Sequence, residues 1–322
     1  MRRAGRVTAQ ARALAGSMVR PGVTTKEIDD AVRRFIRGKG GQPSFLGYGG
    51  FSGSACISVN EVVIHGIPSR HIVLKEGDIV SIDVGAVIDG FHGDCAATYP
   101  CGAISDEAQR LIDVTRQSFW EAYEKAAPGN RVSDISHAVQ AYVEKHGYSV
   151  VRDFVGHGVG AKLHEAPEVP NFGPAGHGAR LQPGMAIAVE PMVCAGDWHV
   201  KVLRDGWTTV TVDGSLSAHY ENTILITEEG PEITTVTEDG AYDGPHRPDR
   251  PGGRRTGQGR AVLCGGRGRG GAAAAVRRQA AQAGPPQGQK APPCGAAGGG
   301  RPPRHSKAEA GRDPVRQGTE TG

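Results

Sequence analysis

The 322-residue chain lacks any regular arrangement of cysteine. Its six cysteines form no CxxC pair and no framework of repeated spacings, so a disulfide-stapled fold is excluded and reduced thiols are expected. The chain also lacks an apolar run long enough to span a membrane, and it lacks a charged-then-apolar leader. These absences predict a soluble, cytoplasmic protein that does not contact a membrane.

Aromatic residues are missing from the C-terminal part of the chain. After Gly244 there is no Phe, Trp or Tyr, and few branched aliphatic residues remain. Such a segment cannot bury enough apolar surface to offset its chain entropy, so residues 245–322 are predicted to be a disordered tail. A single folded domain is predicted over residues 1–244.

Charge divides at the same place. The tail carries 15 Lys and Arg against 4 Asp and Glu, which leaves residues 1–244 with 22 and 30 of the chain's 37 and 34. An acidic body is therefore joined to a basic tail. Runs such as GGRGRGG are typical either of weak RNA binding through phosphates or of a solvated extension without function. Specific DNA binding is not expected.

The stretch SIDVGAVIDGFHGD, residues 81–94, has the pattern of a β-hairpin. Asp89-Gly90 between apolar runs is typical of a two-residue type I′ turn, whose central residues both have positive φ. With that loop, Asp83 and Asp94 lie diagonally across from each other on one face. A three-residue loop would instead place them on opposite faces. The shared face is either solvated, which is usual for Asp, or it holds a positive charge between the carboxylates.

Two segments of the body repeat at an offset of 107 residues. PGVTTKEIDDAV corresponds to PGNRVSDISHAV, and LKEGDIVSID corresponds to LQPGMAIAVE. In each copy the first segment predicts a helix start and the second a strand that ends in a carboxylate, Asp83 or Glu190. We therefore predict two pseudo-symmetric α+β halves, about residues 1–105 and 106–244, with a shared cleft between them.

The segments around these repeats predict regular elements. Strands are expected at SACISVN, DIVSIDVGAV, MAIAVEPM and ENTILIT. A capping box at Thr24 and Glu27 predicts the start of a helix that runs to about Gly38. Two more helices are predicted, from Ser105 to before Pro128 and from about Ser133 to near Gly147.

The body contains a set of candidate metal ligands. Besides the hairpin pair, Glu190 precedes Pro191 at a strand end, Glu221 begins an alternating strand, and His157 lies in the glycine-rich run GHGVG. Four carboxylates and one imidazole carry too much negative charge for one ion but suit two divalent cations. Such ligation favours cobalt, manganese or iron over a structural zinc, with catalytic zinc as a further candidate. The predicted ligands are Asp83, Asp94, His157, Glu190 and Glu221.

At these residues the sequence resembles the methionine aminopeptidases, in particular the type I bacterial form. The resemblance runs from Arg3 to about Thr237 through LGYGGFSGSACISVNEVVIHGIP, GDIVSIDVG, DGFHGD, GHGVGAKLHEAPEVP, AVEPM and DGWTTVTVDGSLSAHYENTILIT. Only 31 residues separate Glu190 from Glu221, which leaves no room for the helical insertion of the type II enzymes. The resemblance implies the pita-bread fold, an α+β architecture in which a pseudo-two-fold α/β sandwich contains antiparallel sheet.

The resemblance also implies roles for individual residues. The five candidate ligands would hold a dinuclear metal centre, and Glu190 would in addition handle the proton of the metal-bridging water that attacks the scissile carbonyl. His164 would stabilise the oxyanion, and His65 would hydrogen-bond the scissile amide. His92 is interpreted as a structural residue on the opposite face of the hairpin.

The methionine side chain would enter an apolar pocket. Phe45, Gly49 and Leu163 stand where type I enzymes often have Cys, His and Phe, and these differences alter the shape of the pocket while leaving the ligands intact. The lining expected from the resemblance is Phe45, Tyr48, Phe51, Cys56 and Trp207.

The resemblance implies removal of the initiator methionine from nascent proteins when the second residue is small. The expected partners are nascent N-termini, with the ribosome as a further candidate, and the enzyme is expected to act as a monomer. Two alternatives stay open: an X-Pro aminopeptidase or prolidase, and a non-catalytic pita-bread binding protein. The first usually carries a large N-terminal domain ahead of the catalytic one, and the second usually lacks metal ligands.

Overall fold

The computed structural model describes residues 1–237, in which four α-helices pack against four β-sheets. The predicted disordered tail, residues 245–322, lies outside the described residues. Within the described part, none of the helices combines the length and apolar character needed to cross a membrane.

Twice along the described chain, two helices are followed by a series of strands. A 3-10 turn spans Tyr48–Gly50. The helices are α1 Arg2–Ser17, α2 Thr25–Gly38, α3 Asp106–Tyr123 and α4 Val132–Lys145. The strands are β1 Gln42–Pro43, β2 Ala55–Val59, β3 Val62–Ile64, β4 Ile79–Ile88, β5 Phe91–Pro100, β6 Ser149–Val150, β7 Gly156–Gly158, β8 Glu165–Val169, β9 Ala186–Val189, β10 Met192–Cys194, β11 Val200–Val202, β12 Thr209–Thr211, β13 Ser217–His219, β14 Asn222–Thr227 and β15 Gly230–Ile233.

The helix starts follow the capping signals in the sequence. The Thr24 side chain accepts from the Glu27 N–H at 3.2 Å, and the Glu27 carboxylate accepts from the Thr24 N–H at 2.8 Å, which is the predicted capping box of α2. Ser105 caps α3 by accepting from the Ala108 N–H at 3.1 Å. The three helices predicted from the sequence are confirmed within two residues at their starts.

One predicted strand was wrong in its extent. The segment MAIAVEPM is two strands, because β9 ends before Glu190 and β10 begins after Pro191. Proline has no N–H to continue a ladder, so the chain leaves one sheet here and enters another. Strand β9 pairs with β14, whereas β10 pairs with β13. Glu190 therefore lies at a break between two sheets and not within a strand.

The predicted hairpin register is confirmed. Strands β4 and β5 pair with Ile88 opposite Phe91 and Gly85 opposite Asp94. The two loop residues, Asp89 and Gly90, have φ of 52° and 81°, as a type I′ turn requires. Asp83 and Asp94 consequently share a face.

The sequence repeat has a structural counterpart. Helix α4 begins and ends 107 residues after α2. The residue before each helix forms an isolated antiparallel bridge: Thr24 pairs with Val73, which precedes β4, and Arg131 pairs with Arg180, which precedes β9. The two bridges are also 107 residues apart. The repeated sequence patterns thus produce equivalent backbone hydrogen bonding in both halves.

Antiparallel pairing builds all of the described sheets. In the first half β4 pairs with β1, β2 and β5, and in the second half the sheet order is β15-β14-β9-β7-β8. Strands β9 and β14 share one buried core with α3 and α4, to which Ile79 and Ala97 of the hairpin also contribute, and β2 and β4 share another with α1 and α2. This is the expected α/β sandwich with antiparallel sheet.

The halves are joined by backbone hydrogen bonds beside the hairpin. The Glu221 N–H donates to the Ala96 carbonyl at 2.9 Å, and the Ala96 N–H donates to the Glu221 carbonyl at 3.2 Å. The Thr223 hydroxyl donates to the Asp94 carbonyl at 2.9 Å and accepts from its N–H at 3.0 Å. These bonds place the return strand of the hairpin against the start of β14.

Candidate metal centre and peptide cleft

A cleft of about 490 Å³ lies where the halves meet. Its walls include every side chain that the sequence and the resemblance predict for the site, together with Leu163. Those side chains are Phe45, Tyr48, Phe51, Cys56, His65, Asp83, Asp94, His157, His164, Glu190, Trp207 and Glu221.

The hairpin supplies two acidic side chains to one end of the cleft. Asp83 lies between β2 and β5, opposite Cys56 and Ala96. Its carboxyl group is close enough to that of Asp94 for the two to share a hydrogen bond, which lowers the pKa of Asp83 and raises that of Asp94. The outer oxygens, Asp83 Oδ1 and Asp94 Oδ1, are buried without a hydrogen-bond partner.

The second half supplies the remaining candidate ligands from three neighbouring strands. His157 is in β7, Glu190 follows β9, and Glu221 precedes β14. Because β9 lies between β7 and β14 in one sheet, these side chains meet at one end of it. Single ligand atoms of Asp94, His157 and Glu221 all lie within 4.8 Å of one another. His157 Nε2 is 3.5 Å from Glu190 Oε1.

The carboxyl groups of this cluster strongly resist ionisation together. Burial raises the pKa of Asp83 to about 7. The pKa values of Asp94, Glu190 and Glu221 are raised well above their usual range, first by burial and then by the charges of the other members of the cluster. Four acidic groups held this close, away from water, need a counter-charge to remain ionised at neutral pH.

His157 is arranged to donate a lone pair to that counter-charge. Its Nδ1 lies 2.9 Å from the Gly158 carbonyl oxygen, an acceptor that fixes the proton on Nδ1 and leaves Nε2 with a lone pair facing the carboxylates. Burial lowers the pKa of His157 to about 4, so the imidazole is neutral at pH 7. A neutral imidazole with its second nitrogen bound to a carbonyl is the usual form of a metal-ligating histidine.

The donor set fits divalent metal ions. Asp83, Asp94 and Glu221 each have a buried oxygen without a hydrogen-bond partner, and ligand atoms of Asp94, His157 and Glu221 lie within 4.8 Å of one another. Cations there would satisfy the buried oxygens and cancel the repulsion that raises the pKa values. The chemistry of the residues therefore matches the predicted metal centre.

Two more histidines flank the ligand cluster. The ring of His164 lies 4.1 Å from the ring of His157, and its Nδ1 is 2.8 Å from the Tyr48 hydroxyl. His65 has a φ of 58° and lies edge-on to Phe154 and Trp207. Burial lowers the pKa of His65 to about 4 and that of His164 to about 3, so both are neutral hydrogen-bonding groups at pH 7.

An apolar pocket adjoins the histidines. Phe45, Phe51, Cys56 and Leu163 form a buried cluster against which Tyr48, Ile67 and Trp207 pack. The rings of Phe51 and Trp207 meet edge to face at 5.1 Å. A pocket with aromatic walls and a thiol is suited to a flexible, polarizable side chain such as a thioether. Leu163, which the resemblance named as a position that shapes the pocket, belongs to this cluster, whereas Ile67 is a member that the sequence analysis did not name.

The predicted face of His92 was wrong, although nothing in the structure contradicts its interpretation as a supporting residue. Residues two apart on a strand share a face, so His92 lies on the same face of β5 as Asp94. Its Nδ1 is 2.8 Å from the Ser44 hydroxyl, and its charge would lower the pKa of His164. His92 therefore belongs to the surroundings of the cleft.

Three buried polar residues near the cluster escaped the sequence predictions. Asn171 donates from Nδ2 to the Glu190 carbonyl at 2.9 Å, and His219 Nε2 lies 3.8 Å from Glu221 Oε2. Arg12, on α1, is 2% exposed. A signal for Arg12 was present, since it falls on the apolar face of α1 with Ala11 and Ala15. His219 offered only its place two residues before Glu221, and Asn171 offered no signal.

Comparisons with known proteins agree with this geometry. The profile of metallopeptidase family M24 matches residues 1–228. The methionine aminopeptidase of Clostridium acetobutylicum is 53% identical over 238 residues, which cover 74% of this chain and 95% of that protein. The crystal structure of methionine aminopeptidase from Thermotoga maritima is 48% identical with a TM-score of 0.72, covering 73% of this chain and 94% of that one. A prolidase from Pyrococcus furiosus, 22% identical with a TM-score of 0.59, shares the fold over 74% of this chain and 63% of its own.

Proposed function

The chain belongs to metallopeptidase family M24, and on this premise we propose how its cleft acts: it binds the N-terminus of a nascent protein and removes the first methionine. The predicted pita-bread fold and methionyl aminopeptidase activity are confirmed by relatives that match over nearly their whole length. We assign this activity to the cleft because one cleft contains both the buried cluster of candidate ligands and the apolar pocket beside it.

The cofactor of a metallopeptidase of this family is a divalent metal ion. We propose two ions, held by Asp83, Asp94, His157, Glu190 and Glu221, because four carboxylates exceed the charge of one ion. Cobalt, manganese, iron and zinc are the candidates. When bound, such ions would polarise the scissile carbonyl as Lewis acids. They would also lower the pKa of water, so that hydroxide is available as the nucleophile near neutral pH.

Glu190 is proposed to move the proton in this reaction. A carboxylate that faces the attacking water accepts its proton and can pass it to the leaving amine. Glu190 lies at the break between β9 and β10, where Asn171 holds its carbonyl and His157 Nε2 is 3.5 Å from its Oε1. These contacts limit the orientations open to its carboxylate.

The two neutral histidines are proposed to stabilise the reacting amide. With the Tyr48 hydroxyl bound at His164 Nδ1, the proton of the neutral ring can occupy Nε2 and donate to the oxyanion. His65, at the other side of the cleft beside Trp207, would hydrogen-bond the scissile amide. The residues that line the methionine pocket, Phe45, Tyr48, Phe51, Cys56 and Trp207, would hold the side chain so that its carbonyl meets both groups.

Replacement of His164 by Ala tests the oxyanion role. Loss of one oxyanion donor costs about 100- to 1,000-fold in kcat, and KM should change little because the pocket is intact. Steady-state kinetics on Met-Ala-Ser measures both constants. His137→Ala, on the exposed face of α4, is the matched control and should match the unaltered enzyme. A His164→Ala variant whose kcat is unchanged contradicts the role.

Chelation and substrate choice test the proposed function as a whole. Removal of metal should abolish hydrolysis of Met-Ala-Ser, and one of the four candidate ions should restore it. Ala-Pro-Ser should be cleaved about 100-fold more slowly or worse, because proline replaces the small second residue and alanine leaves the pocket empty. Faster cleavage of the X-Pro peptide would favour a prolidase-like enzyme. A protein that neither binds divalent ions nor cleaves Met-Ala-Ser would favour a non-catalytic binding protein.

We further propose that residues 1–244 form the catalytic domain and that the enzyme acts as a cytoplasmic monomer on chains leaving the ribosome. The monomer is supported by a ligand set that comes entirely from one chain. The location follows from the substrate, since new N-termini emerge in the cytoplasm. Elution volume in size exclusion and co-sedimentation with ribosomes measure these two properties, and a stable dimer or absence from the ribosomal pellet contradicts the respective part.

A further inference from the structure

A buried arginine lies directly behind the proposed metal centre. Arg12 is on the face of α1 that packs against the sheet, where its neighbours are small residues such as Ala4, Gly5 and Ala11. Small residues allow close approach: a Cβ added at Gly93 would come within 2.8 Å of the Gly5 Cα. Helix α1 therefore lies close enough to β5 for the Arg12 guanidinium to reach the junction of the halves.

The guanidinium binds both strands that carry ligands at this junction. Arg12 donates from one terminal nitrogen to the Ala96 carbonyl and to the Glu221 carbonyl, each at 3.2 Å. These are the carbonyls that accept the two backbone bonds joining the halves. The same nitrogen lies 3.4 Å from Asn222 Oδ1, and the Tyr220 ring lies 5.9 Å from the guanidinium carbon. Arg12 thus holds together the backbone two residues after Asp94 and at Glu221.

The charge of Arg12 acts on the ligands from behind. A guanidinium stays protonated in any protein environment, so this side chain brings a full positive charge into the interior. A buried charge is costly unless opposite charge lies near it. Here the carbonyl oxygens of Ala96 and Glu221, which carry partial negative charge, accept its hydrogen bonds at 3.2 Å, and its attraction reaches Asp83.

We propose that Arg12 is a positioning residue of the metal centre, a permanent internal cation that keeps the ligand-bearing strands together while the site awaits metal. The proposal rests on the proposed function in that it takes the cluster to be a metal site. Once metal ions are bound by Asp94 and Glu221, they link the two segments themselves, so Arg12 contributes less to the loaded protein than to the metal-free protein. A residue that serves packing alone would contribute equally to both.

The test compares thermal unfolding of metal-free and Mn²⁺-saturated protein. In Arg12→Met, which removes the charge and the hydrogen-bond donors and leaves a shorter unbranched side chain, the rise in Tm on adding Mn²⁺ should exceed that of the unaltered protein by about 3 °C or more. Arg12→Lys keeps the charge and should show nearly the unaltered rise. Arg6→Met, on the exposed side of the same helix, is the matched control and should leave the rise unchanged.

Several outcomes would overturn the proposal. If Arg12→Met lowers Tm equally in the metal-free and Mn²⁺-bound proteins, Arg12 serves packing alone. If it lowers Tm more in the Mn²⁺-bound protein, Arg12 supports the bound metal and not the metal-free site. An Arg12→Lys variant that behaves like Arg12→Met, or an Arg12→Met protein that stays unfolded in saturating Mn²⁺, also contradicts it. Failure of the unaltered protein to gain any Tm with Mn²⁺ or the other candidate ions would instead count against the metal site itself.

Discussion

Replacement of Asp94 by Asn, or of His157 by Ala, is expected to abolish cleavage of methionyl peptides, with a loss of at least about 1,000-fold in kcat/KM. Both residues belong to the group whose ligand atoms lie within 4.8 Å of one another, so each change removes a donor that no neighbour can replace. The measurement is hydrolysis of Met-Ala-Ser in saturating Mn²⁺ or another candidate ion, with metal content determined on the same samples.

The fold should survive these changes. Burial raises the pKa of Asp94 well above its usual range and lowers that of His157 to about 4, so the charged forms of these side chains do not stabilise the metal-free protein. Circular dichroism and Tm without metal should remain close to those of the unaltered protein. Asp89→Asn is the matched control, because it makes the same change on the same hairpin at an exposed turn where Asn tolerates positive φ. Substantial activity in Asp94→Asn or His157→Ala contradicts the ligand assignment.

The second large effect concerns the residue that follows methionine. Met-Ala-Ser should be cleaved at least about 100-fold more efficiently than Met-Lys-Ser or Met-Phe-Ser, because displacement of the scissile carbonyl by about 1 Å is enough to cost this much. The wall that would meet a large side chain is rigid. A Cβ added at Gly156 would collide with the backbone carbonyl of Ala188, and one added at Gly158 would collide with that of Ala166. The backbone of β7 around His157 therefore has little room to move.

Comparison of kcat/KM across the three tripeptides measures this preference. Ala-Ala-Ser is a useful fourth peptide, since it keeps the small second residue and empties the methionine pocket. Slow cleavage of Ala-Ala-Ser together with fast cleavage of Met-Ala-Ser would locate one determinant in the pocket. Efficient cleavage of Met-Lys-Ser or Met-Phe-Ser would refute the proposed restriction.

The parts of the molecule that could be predicted are those with local signals. The turn at Asp89-Gly90 determines the hairpin register by itself, and the capping residues Thr24 and Ser105 mark two helix starts without help from the rest of the chain. The repeat at an offset of 107 gave the pseudo-symmetry, because duplicated sequence forms duplicated hydrogen bonds. The ligand set could be collected because acidic side chains are out of place in apolar strands.

The parts that escaped prediction depend on packing between distant segments. The break between β9 and β10 follows from Pro191, but only the assembled sheets determine that the two strands part there. Ile67 enters the pocket from a loop whose path no local pattern specifies. The surroundings of Arg12 form only when α1 packs against residues that are distant in sequence. A Cβ added at Gly5, for example, would meet the backbone of Thr234.

The hydrogen bonds that join Ala96 and Glu221 lie between the two copies of the duplicated unit. In the proposed ligand set, Asp83 and Asp94 come from one copy and His157, Glu190 and Glu221 come from the other, so neither copy alone carries all five. Metal ions held by this set would link the copies, and a motion that separates the copies would break up the proposed metal centre.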